Sequence, residues 1–201
     1  LCDEAAVAVL TREAPARFQD LLAGGVGFDR EGGAFALTLE GAHSHRRVVH
    51  ASGDASGAEI ERALVDQVRA NPAITVHEHA FVADLVVEGG RVTGLDLIVD
   101  GRRRREPARA VVLAAGGLGR VFKFTTNPPV ATGDGVAMAY RAGAAIADLE
   151  FVQFHPTALT LPDGQTFLIS EAVRGEGAIL RDAAGRAFMA DQHPQRDLAP
   201  R

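Results

Sequence analysis

The stretch Ala110–Gly117, AVVLAAGG, decides the fold class that the sequence predicts. Its unbroken apolar run over Ala110–Ala115 is typical of a strand in a parallel sheet that helices cover on both faces. Gly116 and Gly117 follow at the carboxyl end of this strand, where open α/β sheets bind nucleotides and glycine lets a ligand approach the backbone. By itself the pattern is a weak indication of a nucleotide site.

The residues after this stretch predict a helix with an acidic first turn. Thr132–Gly135, TGDG, precedes a helix over Val136–Ala142, and Gly143 ends it. Asp134 lies in the first turn, where its carboxylate could cap the helix or accept hydrogen bonds from a ribose hydroxyl. The spacing favours neither role over the other.

Two further helices are predicted nearer the amino terminus. Asp3–Leu22 has an apolar face, and Pro15 is expected to kink or split this helix. Ser56 and Glu59 have the spacing of a capping box, which begins a second helix that extends to Ala70.

Glycine turns separate the predicted strands. We expect a hairpin around Gly32-Gly33, a short strand over Ile74–Val76, and an antiparallel meander over Phe81–Val87, Arg91–Val99 and the basic run after Gly101. The basic run is interpreted as a solvated strand end rather than an anion site, because no aromatic or glycine-rich sequence accompanies it.

The composition is that of a soluble globular protein with a sizeable core. The 201 residues are 47% hydrophobic and carry a net charge of −5, so neither nucleic acid nor a membrane is an expected partner. The single cysteine, Cys2, excludes an internal disulfide and suits a reducing compartment such as the cytoplasm. The chain opens on Leu1 and stops on Arg201, so we expect an internal part of a longer protein.

Polar residues collect in the otherwise apolar segment Phe151–Gly177. Charges and an imidazole lose solvation there unless they pair with each other or with a ligand. Each residue alone is more simply a structural ion pair or a core histidine, but together they favour a functional site. These residues are Gln153, His155, Glu171, Arg174 and Glu176.

Three histidines lie close together in the sequence, at His43, His45 and His50. Zinc sites in proteins combine histidine with cysteine or carboxylate ligands at regular spacing. No cysteine or second cluster accompanies these histidines, so no metal is predicted.

Five motifs, in this order, resemble one flavoprotein family. They are GAHSHRRVVHASGDASG (41–57), VVLAAGG (111–117), TTNPPVATGDGVAMAYRAGA (125–144), LEFVQFHPTAL (149–159) and SEAVRGEGAIL (170–180). From about Glu40 to Arg201 the chain resembles the family of L-aspartate oxidase, succinate dehydrogenase and fumarate reductase. Glu40 with the following GAHSHRR, and the LAPR sequence at 198–201, resemble the L-aspartate oxidase branch.

The resemblance implies an α/β fold, in which residues 1–148 belong to an FAD-binding Rossmann-like domain with an antiparallel meander and 149–201 begin a capping domain. It implies FAD as the cofactor, with contacts from Asp134, Gly116, Gly117, His45 and Arg46. It also implies substrate contacts from His155, Glu40, Ser170 and Gln153, and catalytic roles for Arg201, Glu171 and Arg174. Arg201 either transfers a proton through Glu171 or only holds a carboxylate.

The implied reaction is FAD-dependent oxidation of L-aspartate to iminoaspartate in de novo NAD biosynthesis, with oxygen or fumarate as electron acceptor. Other C4 dicarboxylates, fumarate and succinate, are expected ligands, and quinolinate synthase is the expected downstream enzyme. A dicarboxylate needs cationic donors at both ends, and a substrate ammonium needs an anion such as Glu40. The alternatives are a fumarate reductase or succinate dehydrogenase flavoprotein subunit and, from another class, a non-catalytic dinucleotide-binding or scaffold module.

The 201 residues contain no GxGxxG sequence, the motif that places a cofactor pyrophosphate at a helix amino terminus. We therefore expect the isolated polypeptide to bind FAD weakly or not at all, and to be inactive as an oxidoreductase.

Overall fold

The structure is a computed structural model that describes residues 2–41, 43–155 and 157–199. These residues form two compact units, one drawn from 1–75 and 170–200 and the other from 76–169. The helices are α1 Glu4–Ala23, α2 Ser56–Ala70, α3 Asp134–Arg141 and α4 Glu171–Gly175. The strands are β1 Arg30–Glu31, β2 Ala34–Phe35, β3 Leu37–Thr38, β4 Val48–Val49, β5 Phe81–Glu88, β6 Arg91–Val99, β7 Arg102–Pro107, β8 Ala158–Thr160 and β9 Thr166–Leu168.

An aromatic cluster forms the core of the first unit. The ring of Phe18, on α1, lies 5.0 Å from the ring of Phe28 and 5.2 Å from the ring of Phe35, measured between centroids. Ala51 and Ala63 are buried beside them. Burial of such rings removes a large apolar area from water, so this cluster holds α1, α2 and the β1–β2 hairpin together.

The first predicted helix is confirmed as α1. Asp3 caps it, because its Oδ1 accepts hydrogen bonds from the backbone N–H groups of Ala5 at 2.9 Å and Ala6 at 3.1 Å. Pro15 does not split the helix, which is continuous from Glu4 to Ala23. Alanines on both sides of this proline favour the helical backbone.

The second predicted helix is confirmed as α2, but the predicted capping box is wrong. The hydroxyl of Ser56 accepts a hydrogen bond from the N–H of Ala51 at 3.2 Å. The Glu59 carboxylate accepts one from the N–H of Gly27 at 2.8 Å. Other backbone N–H groups, that of Ala51 just before the helix and that of the distant Gly27, therefore bind the two side chains that a capping box would use.

The predicted meander is confirmed as an antiparallel sheet in the order β5-β6-β7. Gly89 and Gly90 turn β5 into β6 with φ of 57° and 77°, a backbone region that favours glycine. The hairpin around Gly32-Gly33 is also confirmed, as β1 paired with β2.

Two predicted strands are wrong. Neither Ala110–Ala115 nor Ile74–Val76 lies in a strand, and every strand pair among the described residues is antiparallel. A strand that is apolar on both faces needs ladder partners on its edges and helices on its faces. Among the described residues, no strand pairs with Ala110–Ala115, and Val112 is 90% exposed.

The β8–β9 hairpin was not predicted, because its short strands lack the alternation that marks a half-buried strand. The two compact units divide after Thr75 and after Ile169. The assignment of 1–148 to an FAD-binding domain and of 149–201 to a capping domain stays a prediction.

Candidate functional site

The glycines after the apolar stretch meet the start of α3. The N–H of Gly133 donates to the carbonyl oxygen of Gly117 at 3.1 Å. A Cβ atom at Gly135 would lie only 3.0 Å from the Cβ of Ala115, so glycine permits this approach. The backbone at Gly116 and Gly117 is open, because a Cβ atom at either position would meet no atom within 4 Å. The structure thus brings the two predicted glycine-rich cofactor segments together.

Asp134 is not the side-chain cap of α3. The N-cap residue is Gly133, in a left-handed conformation with φ of 81°. The Asp134 carboxylate is exposed, and its Oδ2 accepts a hydrogen bond from the Thr132 hydroxyl at 2.7 Å. Its carboxylate retains further lone pairs, so it can accept hydrogen bonds from a ribose hydroxyl.

A cavity of about 540 Å³ lies beside α3 in the second unit. Leu118, Val136 and Tyr140 are among the mostly apolar residues of its wall, and Gly133 borders it. Open glycine backbone, an exposed carboxylate and a large apolar cavity are what a dinucleotide with planar rings requires. The residues present therefore fit part of an FAD molecule.

His155 and Gln153 line a second cavity in the same unit, of about 250 Å³. The half-buried His155 ring accepts a hydrogen bond at Nδ1 from the N–H of Thr157 at 3.2 Å. In a neutral imidazole with Nδ1 as acceptor, the proton is on Nε2. His155 therefore has an N–H donor of the kind that the predicted contact with a substrate carboxylate needs.

Glu171 and Arg174 form a buried ion pair on α4, in the first unit. Their residues are 8% and 7% exposed, and an Arg174 Nη2 lies 2.5 Å from Glu171 Oε1. Arg174 also donates to the carbonyl oxygens of Asp197 at 3.0 Å and Ala199 at 3.4 Å. A buried guanidinium held by several acceptors is fixed in position, so the predicted pairing exists while its catalytic role stays a prediction.

The hydroxyl of Ser170 accepts a hydrogen bond from the N–H of Ala172 at 3.2 Å, which makes Ser170 the cap of α4. Its O–H proton remains a donor for a substrate oxygen. Arg201 lies outside the described residues.

The loop over residues 43–47 contains the two other predicted cofactor contacts. His45 is exposed, and its Nδ1 lies 3.0 Å from the Ser44 hydroxyl. Arg46 is paired with Glu176, which the sequence did not identify as its partner. The Nδ1 atom of His43 is buried and has no hydrogen-bond partner among the described residues.

The predicted site residues divide between the two compact units. The first unit contains Glu40, His45, Arg46, Ser170, Glu171 and Arg174. The second contains Gly116, Gly117, Asp134, Gln153 and His155. Thr157, Gly175 and Glu176 contact predicted site residues: Thr157 contacts His155, Gly175 lies against Glu40, and Glu176 pairs with Arg46. The motifs assign no role to Thr157 or Gly175, because the importance of these two residues depends on contacts rather than on residue type.

Among the described residues, no group of three histidine, cysteine or carboxylate side chains could hold a metal ion. His50 instead pairs with Asp29, with Nδ1 2.9 Å from Oδ2. None of the described helices combines the length and the apolar composition needed to cross a membrane.

The open glycine backbone and the exposed carboxylate at the start of α3 fit a dinucleotide ligand. The chain belongs to the family described as FAD binding domain, whose model matches residues 1–201. The predictions of the fold class and of FAD as the cofactor are thereby confirmed.

Among curated proteins the chain is similar to L-aspartate oxidases. It is 55% identical over 203 residues to that of Nostoc sp. and 54% identical over 212 residues to that of Streptomyces coelicolor. These matches cover 100% of this chain but 35% and 36% of the relatives, so the chain spans about a third of their length.

Solved structures of related flavoproteins also match. A variant of E. coli quinol fumarate reductase has a TM-score of 0.87 and 32% identity, over 95% of this chain and 32% of that one. Sdh1 of Mycobacterium smegmatis in complex with UQ1 has a TM-score of 0.72 and 32% identity, over 94% of this chain and 34% of that one. The resemblance in the five motifs to the flavoprotein family is confirmed.

Proposed function

We propose that this chain is part of an FAD-dependent L-aspartate oxidase, which converts L-aspartate to iminoaspartate. The observation that carries the proposal is 54–55% identity along the whole chain to L-aspartate oxidases, against 32% to the fumarate reductase and Sdh1 structures. A flavin held by Asp134, Gly116 and Gly117 would supply the acceptor for the hydride from the α-carbon of the substrate.

The residues of this chain would bind and orient the substrate. His155 would donate from Nε2 to one carboxylate, and Arg201 would hold the other as a charged donor. Glu40 would accept hydrogen bonds from the ammonium, a group that succinate and fumarate lack. Ser170 and Gln153 would complete the contacts with the substrate.

The buried pair on α4 suits a proton relay to Arg201. An arginine is a poor general base because its guanidinium stays protonated in proteins, so a role in proton transfer needs a partner that accepts its proton. Glu171 is adjacent to Arg174 in a nearly dry environment, where their charges interact strongly. In this scheme Glu171 and Arg174 are the inner members of the relay.

The biological setting belongs to the same proposal. Iminoaspartate would enter de novo NAD biosynthesis in the cytoplasm, with oxygen or fumarate as the electron acceptor and quinolinate synthase as the next enzyme. The C4 dicarboxylates fumarate and succinate would bind at the same site, because they present the same two carboxylates.

The structural similarity to quinol fumarate reductase favours a second candidate, a fumarate reductase or succinate dehydrogenase flavoprotein subunit. Glu40→Gln in the full-length protein distinguishes the two. For an L-aspartate oxidase, kcat/KM for L-aspartate should fall about a hundredfold, as when one oriented charged group is removed, while fumarate reduction changes little. Equal losses for both substrates, or no aspartate oxidation by the unmodified protein, would contradict the proposal.

A further inference from the structure

The end of α4 lies directly against the backbone around Glu40. A Cβ atom at Gly175 would overlap the carbonyl oxygen of Leu39 and lie 3.1 Å from the Cα of Glu40. On the other side of Glu40, a Cβ atom at Gly41 would lie 3.3 Å from an Arg174 nitrogen. Two glycines therefore allow the α4 segment to approach the backbone on either side of Glu40.

An ion pair holds the neighbouring segments at the same place. Arg46 Nη1 lies 2.5 Å from Glu176 Oε1, and Nη2 lies 2.8 Å from Oε2, which is a two-point contact between planar groups. Arg46 also donates to the carbonyl oxygen of Leu37 at 3.3 Å. Glu176, the C-cap of α4, thus connects the end of that helix to both sides of the segment that contains Glu40.

The electrostatics agree with this geometry. The hydrogen bond from Arg46 is the largest cause that lowers the pKa of Glu176 below its ordinary value, and a hydrogen bond with the Leu39 backbone contributes in the same direction. Glu176 is therefore a carboxylate near neutral pH, as the ion pair requires.

Stability alone does not explain the pair. The Arg46 and Glu176 side chains are 52% and 45% exposed, and ion pairs in solvent contribute little to folding stability. A two-point contact between planar groups also fixes their relative orientation. Because the ion pair lies beside Glu40, the orientation that it fixes is that of the backbone around Glu40.

We propose that the Arg46–Glu176 ion pair positions Glu40, and so makes Glu176 a determinant of selectivity for substrates that carry an ammonium group. This inference rests on the proposed function, in which Glu40 binds the substrate ammonium. Glu176 is a positioning residue, because it acts through the Leu39–Gly41 backbone rather than on the substrate.

The kinetic test uses the full-length protein with Glu176→Gln, which keeps the shape of the side chain and removes its charge. We expect kcat/KM for L-aspartate to fall about tenfold, mainly through KM, because a small misplacement of one contact weakens an oriented complex. Fumarate reduction with a reduced dye should stay within about twofold, since fumarate has no ammonium to misplace. Glu176→Asp, which keeps the charge, should recover part of the loss.

Glu106→Gln is the matched control. It removes a comparable pair with Arg104, whose nitrogen–oxygen distance is 2.6 Å and whose side chains are 49% and 43% exposed. This variant should leave kcat/KM for L-aspartate and the rate of fumarate reduction unchanged.

The double variant Arg46→Gln/Glu176→Gln tests whether the two residues act as one unit. Its kcat/KM for L-aspartate should be no lower than that of the more damaging single variant.

Amide hydrogen exchange separates this inference from the proposed function. Exchange over residues 37–47 should speed up in Glu176→Gln and stay unchanged in Glu106→Gln, whatever the substrate of the protein. If the unmodified protein oxidises no aspartate, the proposed function fails, and unchanged exchange in this segment would overturn the positioning role as well. If aspartate is oxidised, an unchanged ratio of aspartate to fumarate activity in Glu176→Gln overturns the inference.

Discussion

Two contacts with Thr157 determine what His155 can offer a ligand, because the backbone N–H and the hydroxyl of Thr157 lie 3.2 Å and 3.3 Å from Nδ1 of His155. The N–H of Thr157 occupies Nδ1, so the proton of the neutral ring is on Nε2. The same ring is half-buried in a cavity wall, where a donated hydrogen bond is stronger than in water. The chemistry of this residue therefore depends on its neighbour two positions along the chain.

His155→Ala in the full-length protein should lower kcat/KM for L-aspartate by about a hundredfold or more, because it removes one oriented donor to a carboxylate. Arg201→Lys should have an effect of similar size, because lysine keeps the charge but lacks the planar two-point fork. Steady-state kinetics measures both changes, and His77→Ala, at an exposed position, is the control. Values within a few-fold of the unmodified protein would mean that the site is elsewhere and would favour a non-catalytic module.

Glu59 gives the first unit a pH-dependent contact. Hydrogen bonds from Arg62 and then from the N–H of Gly27 lower the pKa of Glu59 from 4.5 to about 2. Because the pKa is lower in the folded state, this carboxylate stabilises the protein fully above pH 4.5, and the contribution is lost as the pH falls towards 2.

The stability difference between the unmodified protein and Glu59→Gln should therefore be largest near neutral pH and shrink as the pH falls below 4.5. Urea unfolding at a series of pH values measures it. A difference that is constant from neutral to acidic pH would contradict the assigned role of Glu59.

At the scale of secondary-structure elements, α4 and the segment after β3 pack through a glycine. Gly175 has no positive φ, so its importance comes from space rather than from backbone conformation. The overlap that a side chain would create involves the Leu39 carbonyl, which is backbone and cannot rotate away. The backbone of the segment after β3 therefore limits position 175 of α4 to glycine.

Gly175→Ala should destabilise the protein by about 1–3 kcal/mol, the usual cost of forcing extra atoms into a packed contact. The midpoint of urea unfolding measures this change. Gly57→Ala is the control, because a Cβ atom at Gly57, on α2, would meet no atom within 4 Å. A Gly175→Ala variant as stable as the control would show that the Leu39 backbone moves freely.

At the scale of the whole molecule, the described surface carries large exposed apolar side chains. Val112, Val130, Tyr140 and Phe154 are between 71% and 90% exposed. Large exposed apolar patches are typical of surfaces that bind something. The assignment of Gly117 and Asp134, in the second unit, as FAD contacts stays a prediction.

A polypeptide of these 201 residues, made alone, should bind FAD weakly or not at all, show no aspartate oxidase activity and associate with itself. Gel filtration after incubation with FAD measures self-association, and the absorbance spectrum of the eluted protein measures bound flavin. An oxidase assay measures the activity. A monodisperse yellow protein with one flavin per chain would mean that unidentified residues hold the cofactor.

Sequence by itself determined the elements whose signals are local. The apolar face of Asp3–Leu22, the glycine turn at 32–33 and the alternation of the meander predict α1, the first hairpin and the β5–β7 sheet. The five motifs also predict the family and its cofactor, because long motifs preserve residue type and order together. These signals lie within one element or one motif, where propensity and periodicity act.

Only the tertiary structure decided the contacts between distant segments. Arg46 forms an ion pair with Glu176, which lies 130 positions further along the chain. The Glu59 carboxylate binds the N–H of Gly27 rather than the predicted helix cap. The lack of a side chain at Gly175 leaves space for the Leu39 carbonyl. The apolar run Ala110–Ala115 lacks ladder partners among the described residues, so its composition did not make it a strand. The physical reason is common to all of them: hydrogen bonds, ion pairs and close approaches depend on the distance between atoms, which the spacing of residues in a sequence does not fix.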